Sequence, residues 1–513
     1  MRGCMGDSES VGAGEGAAAY EGSGAGDADR ARAAAGGYSE RSDDRITRMG
    51  TDSVPRLIIE FAIPSIIGML VNGAYNVIDS VFLGQAMGSI GLSATTVAQP
   101  IMIVFLSLCM LIGNGGNALA ALRLGEGRHV DAERSLGNTM FLAIVLWAII
   151  AVGVSIPPVM DAILDISSAT DEVRGYAADF IRILGFGVLF QIVGMGLNNF
   201  IRTAGAPNRA LLTMILGAVV CIVFNYLFVM RFGWGVHGSA LATVMGQAAS
   251  CASVLWFFTI SKNSPLKLRL WAVKPDGSII PSILTLGVPS SLVQVGMAVV
   301  SFIVNMLLVV YGAQSAIGQT AALASIGVVQ RIAMFTVLPL IGVAIAIQPL
   351  LGFNYGARLF GRVRATLGYG ILGATTIALL MWVSVHVWPV QIVSAFGISD
   401  ESLREFTIFA LKVQLLMLPV VGFQIIGANY FQATGQPVRS IVLSMSRQIL
   451  FLIPLLFLLP SWLPIAFPQL TGLDAVYFAA PMADALSIVL TGVLICIELR
   501  KLKGKEMKLR PIP

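Results

Sequence analysis

The sequence predicts an all-α polytopic membrane protein with about twelve transmembrane helices in two six-helix lobes. Three observations predict it. Apolar residues make up 56% and charged residues 12% of the 513, with a mean hydropathy of +0.82, a composition foreign to soluble enzymes. About twelve apolar stretches follow one another, most of them near or above the roughly 20 residues that cross a bilayer. The two halves also repeat: RTAGAPNR matches QATGQPVR, pairing Gly205, Pro207 and Arg209 with Gly435, Pro437 and Arg439. Gly125 and Leu136 pair with Gly356 and Leu367, and Pro64 with Pro289. Repeats of six helices share one orientation, so their pseudo-twofold runs along the membrane normal and leaves a central cavity between two lobes.

In chain order, residues 1–52 are rich in Gly, Ala, Ser and acids, without apolar periodicity; they read as a disordered tail. No signal-peptide core is present there, and Met49 is a second candidate start. The apolar stretches fall at 57–82, 90–121, 136–158, 173–200, 210–230, 237–260, 279–311, 315–350, 366–390, 403–432, 439–460 and 475–498. The N-terminal lobe is expected over 53–265, the C-terminal lobe over 266–500, and a basic tail over 501–513. Pro64, Pro289 and Pro419 interrupt stretches where neighbouring helices must satisfy the freed carbonyls. Basic residues alternate from loop to loop. Arg123, Arg128 and Arg134, Arg202 and Arg209, Lys262 to Lys274, Arg358 to Arg364, Arg439 and the tail lie on one side. The intervening loops are nearly free of basic residues, and by the positive-inside rule both termini are cytoplasmic. The expected location is the plasma membrane.

The first stretch, LIIEFAIPSIIGMLVNGAYNVIDSVFLG, carries Asn72, Tyr75, Asn76 and Asp79. Asn72, Asn76 and Asp79 share one helical stripe with Tyr75 beside it. An acid at such depth is costly and reads as an ion or substrate site facing protein or water; the alternative is a solvated helix-end Asp. Asp484 is open in the same way, as a second cation-binding group or a helix-end Asp. Glu60 reads as an i,i+4 surface pair with Arg56, and Arg447 as a snorkelling or packing residue. Met69, Met297, Met306 and Met417 either line a malleable cavity or face lipid and core. The five cysteines and three histidines follow no metal or disulfide spacing, and nucleic-acid binding is not expected. No cofactor is expected beyond a coupling ion, H⁺ or Na⁺, and the protein is expected to act as a monomer in the bilayer.

The stretches YNVIDSVFLG, LFQIVGMGLNNFIRTAGAP, GVHGSALATVMGQ, QPLLGFNYGARLFGRV, NYFQATGQP and SRQILFLIPLLFLLP, in this order, resemble the multidrug and toxic compound extrusion (MATE) family over residues 52–500. The resemblance implies a V-shaped bundle and export of organic, often cationic, compounds against Na⁺ or protons. NorM-like members carry an acid on the seventh helix. Here that helix is PSSLVQVGMAVVSFIVNMLL, with Ser290, Gln294, Ser301 and Asn305 as its polar face. The chain is therefore closer to the DinF-like branch, including its MepA-like members. The resemblance carries that branch's coupling site onto Asp79, Asn198 and Thr243. The fifth helix departs from the pattern N-x-x-x-D followed by Pro: Cys221 replaces the Asn, and Asn225–Tyr226 replaces Asp-Pro. One carboxylate remains where two would share a proton, and a Na⁺ site would draw on Asp79, Asn198 and Asn225.

The function expected from these readings is a secondary antiporter exporting amphipathic, cationic small molecules in exchange for H⁺ or Na⁺. The rival is a lipid-linked oligosaccharide or lipid flippase of the same superfamily. A flippase handling phosphates would favour arginines or lysines inside its cavity, and the spans read as almost free of central basic residues. A membrane-embedded enzyme would need a nucleophile–base pair or a metal cluster, and neither pattern occurs in the sequence.

Overall fold

The computed structural model describes residues 40–167, 171–261, 264–315, 317–396 and 400–509; a few side chains within these ranges, Asn76 among them, lie outside the description. A short helix α1 (Glu40–Thr51) leads into α2 (Val54–Gly88), α3 (Ser93–Gly125) and α4 (His129–Ser155). Then come the short α5 (Pro157–Ile166) and the long α6 (Val173–Thr203), α7 (Pro207–Arg231) and α8 (Gly235–Thr259). The second half holds α9 (Ile279–Ala313), α10 (Gln319–Gly356), α11 (Phe360–Val387) and the short α12 (Pro389–Ser394). It ends with α13 (Glu401–Gln414), α14 (Leu418–Ala433), α15 (Pro437–Ala466) and α16 (Gly472–Leu509). Among the described residues eleven helices are long and apolar enough to cross a bilayer, and α13–α14, bent by 44°, make the twelfth span. Phe302, Val438 and Ile465 are 71%, 72% and 78% exposed, as lipid-facing side chains should be when no hydrophobic force drives them inward.

The turns explain the repeat. Gly205 (φ +74°) and Gly435 (φ +75°) end α6 and α14 in the left-handed region, and Pro207 and Pro437 open α7 and α15. Glycine has no Cβ to clash there, and proline's missing N–H is no loss at a helix start. A second pair breaks the rule. Gly127 (φ +74°) ends α3, and its counterpart after α10 is Arg358 (φ 58°), the one non-glycine residue at positive φ among the described residues.

The halves meet along seams of small residues. A methyl group on Gly115 of α3 would sit 2.0 Å from the Ile283 carbonyl oxygen of α9, and one on Gly287 would meet the Leu111 carbonyl at 1.7 Å. Backbones can approach this closely only without side chains. The repeat partners Gly125 and Gly356 face each other's helices, against the carbonyls of Phe353 and Leu122. Asn117 Nδ2 donates to Oε1 of its own repeat counterpart, Gln348, at 3.4 Å. The pseudo-twofold therefore passes between these residues. The seam runs from Gly73 against Leu338, halfway along α2 and α10, to the end that carries the basic loops.

Two expectations about the start of the chain are corrected. Residues 1–39 lie outside the described residues, but 40–51, expected to be disordered, form α1. Ile46 and Met49 lie three apart on one face of this polar helix and are 4% and 1% exposed. Glu60 pairs with Arg48 at 3.0 Å instead of Arg56. The partner comes from α1, which the sequence did not reveal as a helix. Hydrogen bonds to Asp52 and Glu60 hold the Arg48 guanidinium above its ordinary pKa.

Candidate functional site

Asp79 lies on α2, nine residues before the break at Gly88 (φ 58°) that separates α2 from α3. Its Oδ1 accepts from Asn225 Nδ2 at 2.6 Å and from Ser239 Oγ at 2.9 Å. Asn225 is brought there by α7 and Ser239 by α8. Those helices pack closely because Gly217 and Gly246 sit where a methyl would strike Ser250 or Cys221. Asn225 is the last α-helical residue of α7, and from Tyr226 to Arg231 the backbone winds as a π-helix. The helix thus loses its regular register at the point where the family pattern places a proline. Asn225 Oδ1 is buried without a hydrogen-bond partner among the described residues. Thr243, one turn deeper than Ser239, hydrogen-bonds Cys221, which lies one turn before Asn225. Asp79, Asn225, Ser239 and Thr243 therefore form one cluster. Its carboxylate, amide oxygen and hydroxyls are hard oxygen ligands that suit a proton or an alkali cation.

Asn198 does not join it. Its Nδ2 donates to the Ala210 carbonyl at 2.9 Å and to Thr213 Oγ1 at 2.5 Å, and its Oδ1 accepts from Arg202 Nη1 at 2.7 Å. Arg202 in turn donates to Ser65 Oγ at 3.1 Å. Ser65 precedes Asp79 by fourteen residues of α2, roughly 21 Å at 1.5 Å per residue. At the depth of Thr243 the fourth span instead presents Gly187, packed on Val244. Asn198, expected beside Asp79 and Asn225, is therefore held apart from them, and the side chain that joins those two is Ser239.

Among the other candidates, Asn72 and Tyr75 are half-buried on α2 and have bonding partners. The Asn76 side chain lies outside the described residues. Gln294 is half-buried on α9, one turn past Ser290, and Asn305 is exposed further along. Neither is brought to Asp79 by a hydrogen bond. Asp484 is neither solvated nor at a helix end. It is 3% exposed, and its Oδ1 accepts from Arg447 Nε at 2.5 Å. Arg447 is thus an ion-pair partner and not a snorkelling residue. Its neighbour Ser446 shares Ser487 Oγ with Gln424, whose Oε1 is buried without a partner among the described residues.

The spans also hold more buried charge than the sequence suggested. Arg202 is 2% exposed. Among the described residues it has no carboxylate partner; Ser65, Asn198, Asn199 and the Met214 sulfur take its donors. Asn199 passes the chain to Asn114 (2.8 Å), and Asn114 to Ser290 of the second half (3.0 Å). Ser290 bonds Gln432, so Ser290–Gln432 repeats Ser65–Arg202 in the other half. Two further groups were missed. Ser239 lies four residues before Thr243 on the same face, a spacing that could have found it. Asp179 and His237 pair at 2.9 Å with Arg182 alongside at 3.5 Å. They are 58 residues apart, and nothing local links them.

The MatE family model matches this chain twice, over residues 64–227 and 289–458, one match in each half and together well over half of its length. The multidrug export protein MepA of Staphylococcus haemolyticus is 26% identical over 444 residues, covering 86% of this chain and 94% of that protein. The MepA of Staphylococcus aureus is 24% identical over 459 residues, covering 89% and 97%. Among solved structures, an outward-facing multidrug resistance MATE transporter of the MOP superfamily superimposes with a TM-score of 0.82 at 23% identity, covering 89% of this chain and 98% of that one. A MOP superfamily transporter from Pyrococcus furiosus, described as having a binding pocket of reverse polarity, superimposes with a TM-score of 0.81 at 22% identity, covering 91% and 99%. The paired matches fall on the two six-span halves that the fold relates by its pseudo-twofold, and the chain belongs to the MatE family, the multidrug and toxic compound extrusion proteins.

Proposed function

We propose that the protein is a secondary antiporter of the plasma membrane that exports amphipathic, cationic small organic molecules in exchange for H⁺ or Na⁺. The observation that carries this reading is the company of Asp79. Among the described residues Asp484 pairs with Arg447, Glu498 with Arg439 and Glu133 with Arg269. Asp79 has two neutral donors and forms no ion pair among the described residues. A carboxylate held this way inside a span needs a mobile cation to balance it. A proton on Asp79 lets it donate to Asn225 Oδ1, once the amide turns over; Na⁺ is ligated by the same oxygen. Na⁺ ligation gives the amide oxygen a partner, whose absence otherwise costs about 1–3 kcal/mol; protonation gives it one at the expense of the Nδ2 bond to Asp79. The π-helical turn beside Asn225 is a place where α7 can change register.

Coupling then needs the ion to bind the two conformations unequally. The seam at the basic-loop end holds the halves together there, so Asp79, beyond its midpoint, lies on the opposite side. With both termini cytoplasmic, that side is external, and ion uptake from outside would precede reclosure. Within the spans Arg202 is committed to amide, hydroxyl and sulfur partners, Arg447 to Asp484 and Arg182 to Asp179, whereas Arg331, twelve residues past the start of α10, is exposed. The expectation that the spans are almost free of central basic residues is corrected, and the drug exporter is preferred over the lipid flippase on the similarity to multidrug export proteins. MepA being a multidrug export protein supports the substrate class.

The test is efflux of a cationic dye from proteoliposomes under an imposed pH gradient and, separately, an imposed Na⁺ gradient. Accumulation driven by one of the two and abolished in Asp79→Asn is expected. Transport that ignores both gradients overturns the antiporter.

A further inference from the structure

We propose that α1 is a strap that holds the basic-loop end of the bundle shut and must unseat from the second half each time that end opens. The proposal rests on the reading of the protein as a transporter with two alternating conformations.

α1 continues into α2 with only Asp52 and Ser53 between them, so it moves with the first half. Arg48 fixes this attachment through Asp52 at 2.8 Å and Glu60 at 3.0 Å, and Arg45 lies over the Gly205 turn of the same half. Its far end reaches across the seam. Met49 carbonyl oxygen accepts from Asn354 Nδ2 at 3.1 Å and from Arg362 Nη2 at 3.2 Å, and the Asp52 carbonyl accepts from Arg362 Nη2 at 2.6 Å. Asn354 Oδ1 accepts from Arg362 Nε at 3.1 Å, which aims the guanidinium at the strap. Gly50 lies against the Phe353 ring, where a methyl would stand 3.1 Å from Cε1. Ile46 and Met49 are buried beneath the helix.

Asn354 and Arg362 flank the α10–α11 turn of the second half. The seam they adjoin, Gly125 on Phe353 and Gly356 on Leu122, is the one that must part for the cleft to open at this end. A helix rigidly continuous with α2 cannot follow Arg362 across that gap. The carbonyl bonds of Met49 and Asp52 and the burial of Met49 therefore exist only in the closed state. Contacts made in one state alone shift the population toward it. Carbonyls exposed at the C-terminal end of α1 also carry the negative end of its dipole, which suits the Arg362 cation.

The test reads the distance between spin labels on the exposed positions 128 and 503, one on each half at this end, with Cys4 and Cys496 replaced by serine. It is done in nanodiscs without any gradient, so it does not depend on the antiport reading. Arg362→Gln and Ile46→Asp are each expected to raise the long-distance, open population several-fold over the parent. Distributions superimposable on the parent in both variants overturn the strap. A second arm adds a constraint instead of removing contacts. In Gly50→Cys/Phe353→Cys the reduced protein is expected to transport; a short thiol crosslinker is expected to abolish transport, and reductant to restore it. A crosslinked protein that transports at the reduced rate shows that α1 stays seated through the cycle and overturns the proposal. Failure of the antiport reading would appear differently, as no gradient-driven transport by the parent protein while the label distances still respond.

Discussion

Asp79 and Asp484 show how one residue type takes two roles in one protein. Asp79 is held by an amide and a hydroxyl, whereas Asp484 is closed by a guanidinium. Asp79→Asn is nearly isosteric and removes a charge that is costly in a span. We expect coupled efflux to vanish while the purified protein melts at the same or a higher temperature. Asn225→Asp restores a second carboxylate and should move the pH or Na⁺ dependence of efflux. Full gradient-driven efflux in Asp79→Asn, with loss in Asp484→Asn, would assign coupling to the second half. The Arg447–Asp484 pair makes a contrasting prediction. Arg447→Leu leaves a carboxylate buried without its cation, a loss of about 3–5 kcal/mol. Arg447→Leu with Asp484→Leu should recover most of it, because two apolar groups leave no charge stranded. Thermal unfolding in detergent of the single and double variants checks this.

At the scale of elements, α1 and the α10–α11 turn make opposite predictions. Beginning the chain at Met49 removes Ile46, which is 4% exposed, and the Arg48 bridge to Glu60. Loss of a buried Ile side chain alone costs about 2–4 kcal/mol, so the shortened protein should melt several degrees lower. An unchanged melting curve would show that α1 adds nothing to the fold. Arg358 closes α10 in the left-handed region, where its repeat counterpart is Gly127. The hydrogen bonds match: Arg128 N to Arg123 O at 2.8 Å, and Leu359 N to Asn354 O at 2.9 Å. The geometry is thus the same in both halves, and Arg358 bears the steric cost of a Cβ. Arg358→Gly should stabilise by about 1 kcal/mol, read as a raised melting temperature; a decrease would mean that the side chain makes contacts worth more than the strain.

At the scale of the molecule, two equivalent halves are joined at one end by glycine seams, by Asn117–Gln348 and by the chain from Arg202 to Gln432. Ser107 and Ser291 add a bond of 2.6 Å across the same seam. From the alternation of the basic loops we propose that this end is cytoplasmic. A reporter fused after Arg500 should therefore stay cytoplasmic, and one inserted near Gly472 should be external. Reversal at both positions would turn the cleft, and with it the direction of ion entry, to the other side.

The sequence by itself determined the spans, the repeat and its glycine–proline turns, and the depth of Asp79. These are properties of consecutive residues: hydropathy over a window, a recurring motif, a helical stripe. Even the axis was legible, since Gly125 and Gly356 were paired in sequence before they were found facing each other's helices. What only the tertiary structure decided is who meets whom across the bundle. Asp79 finds Asn225 and Ser239 at separations of 146 and 160 residues, and Arg362 finds Met49 at 313. Asn198, carried onto the site by resemblance, belongs to Arg202, because fourteen residues of helix set their levels apart. No periodicity encodes such pairings. They follow from how small residues let particular helices close, and a polar side chain in a span bonds whatever donor or acceptor that packing brings within reach.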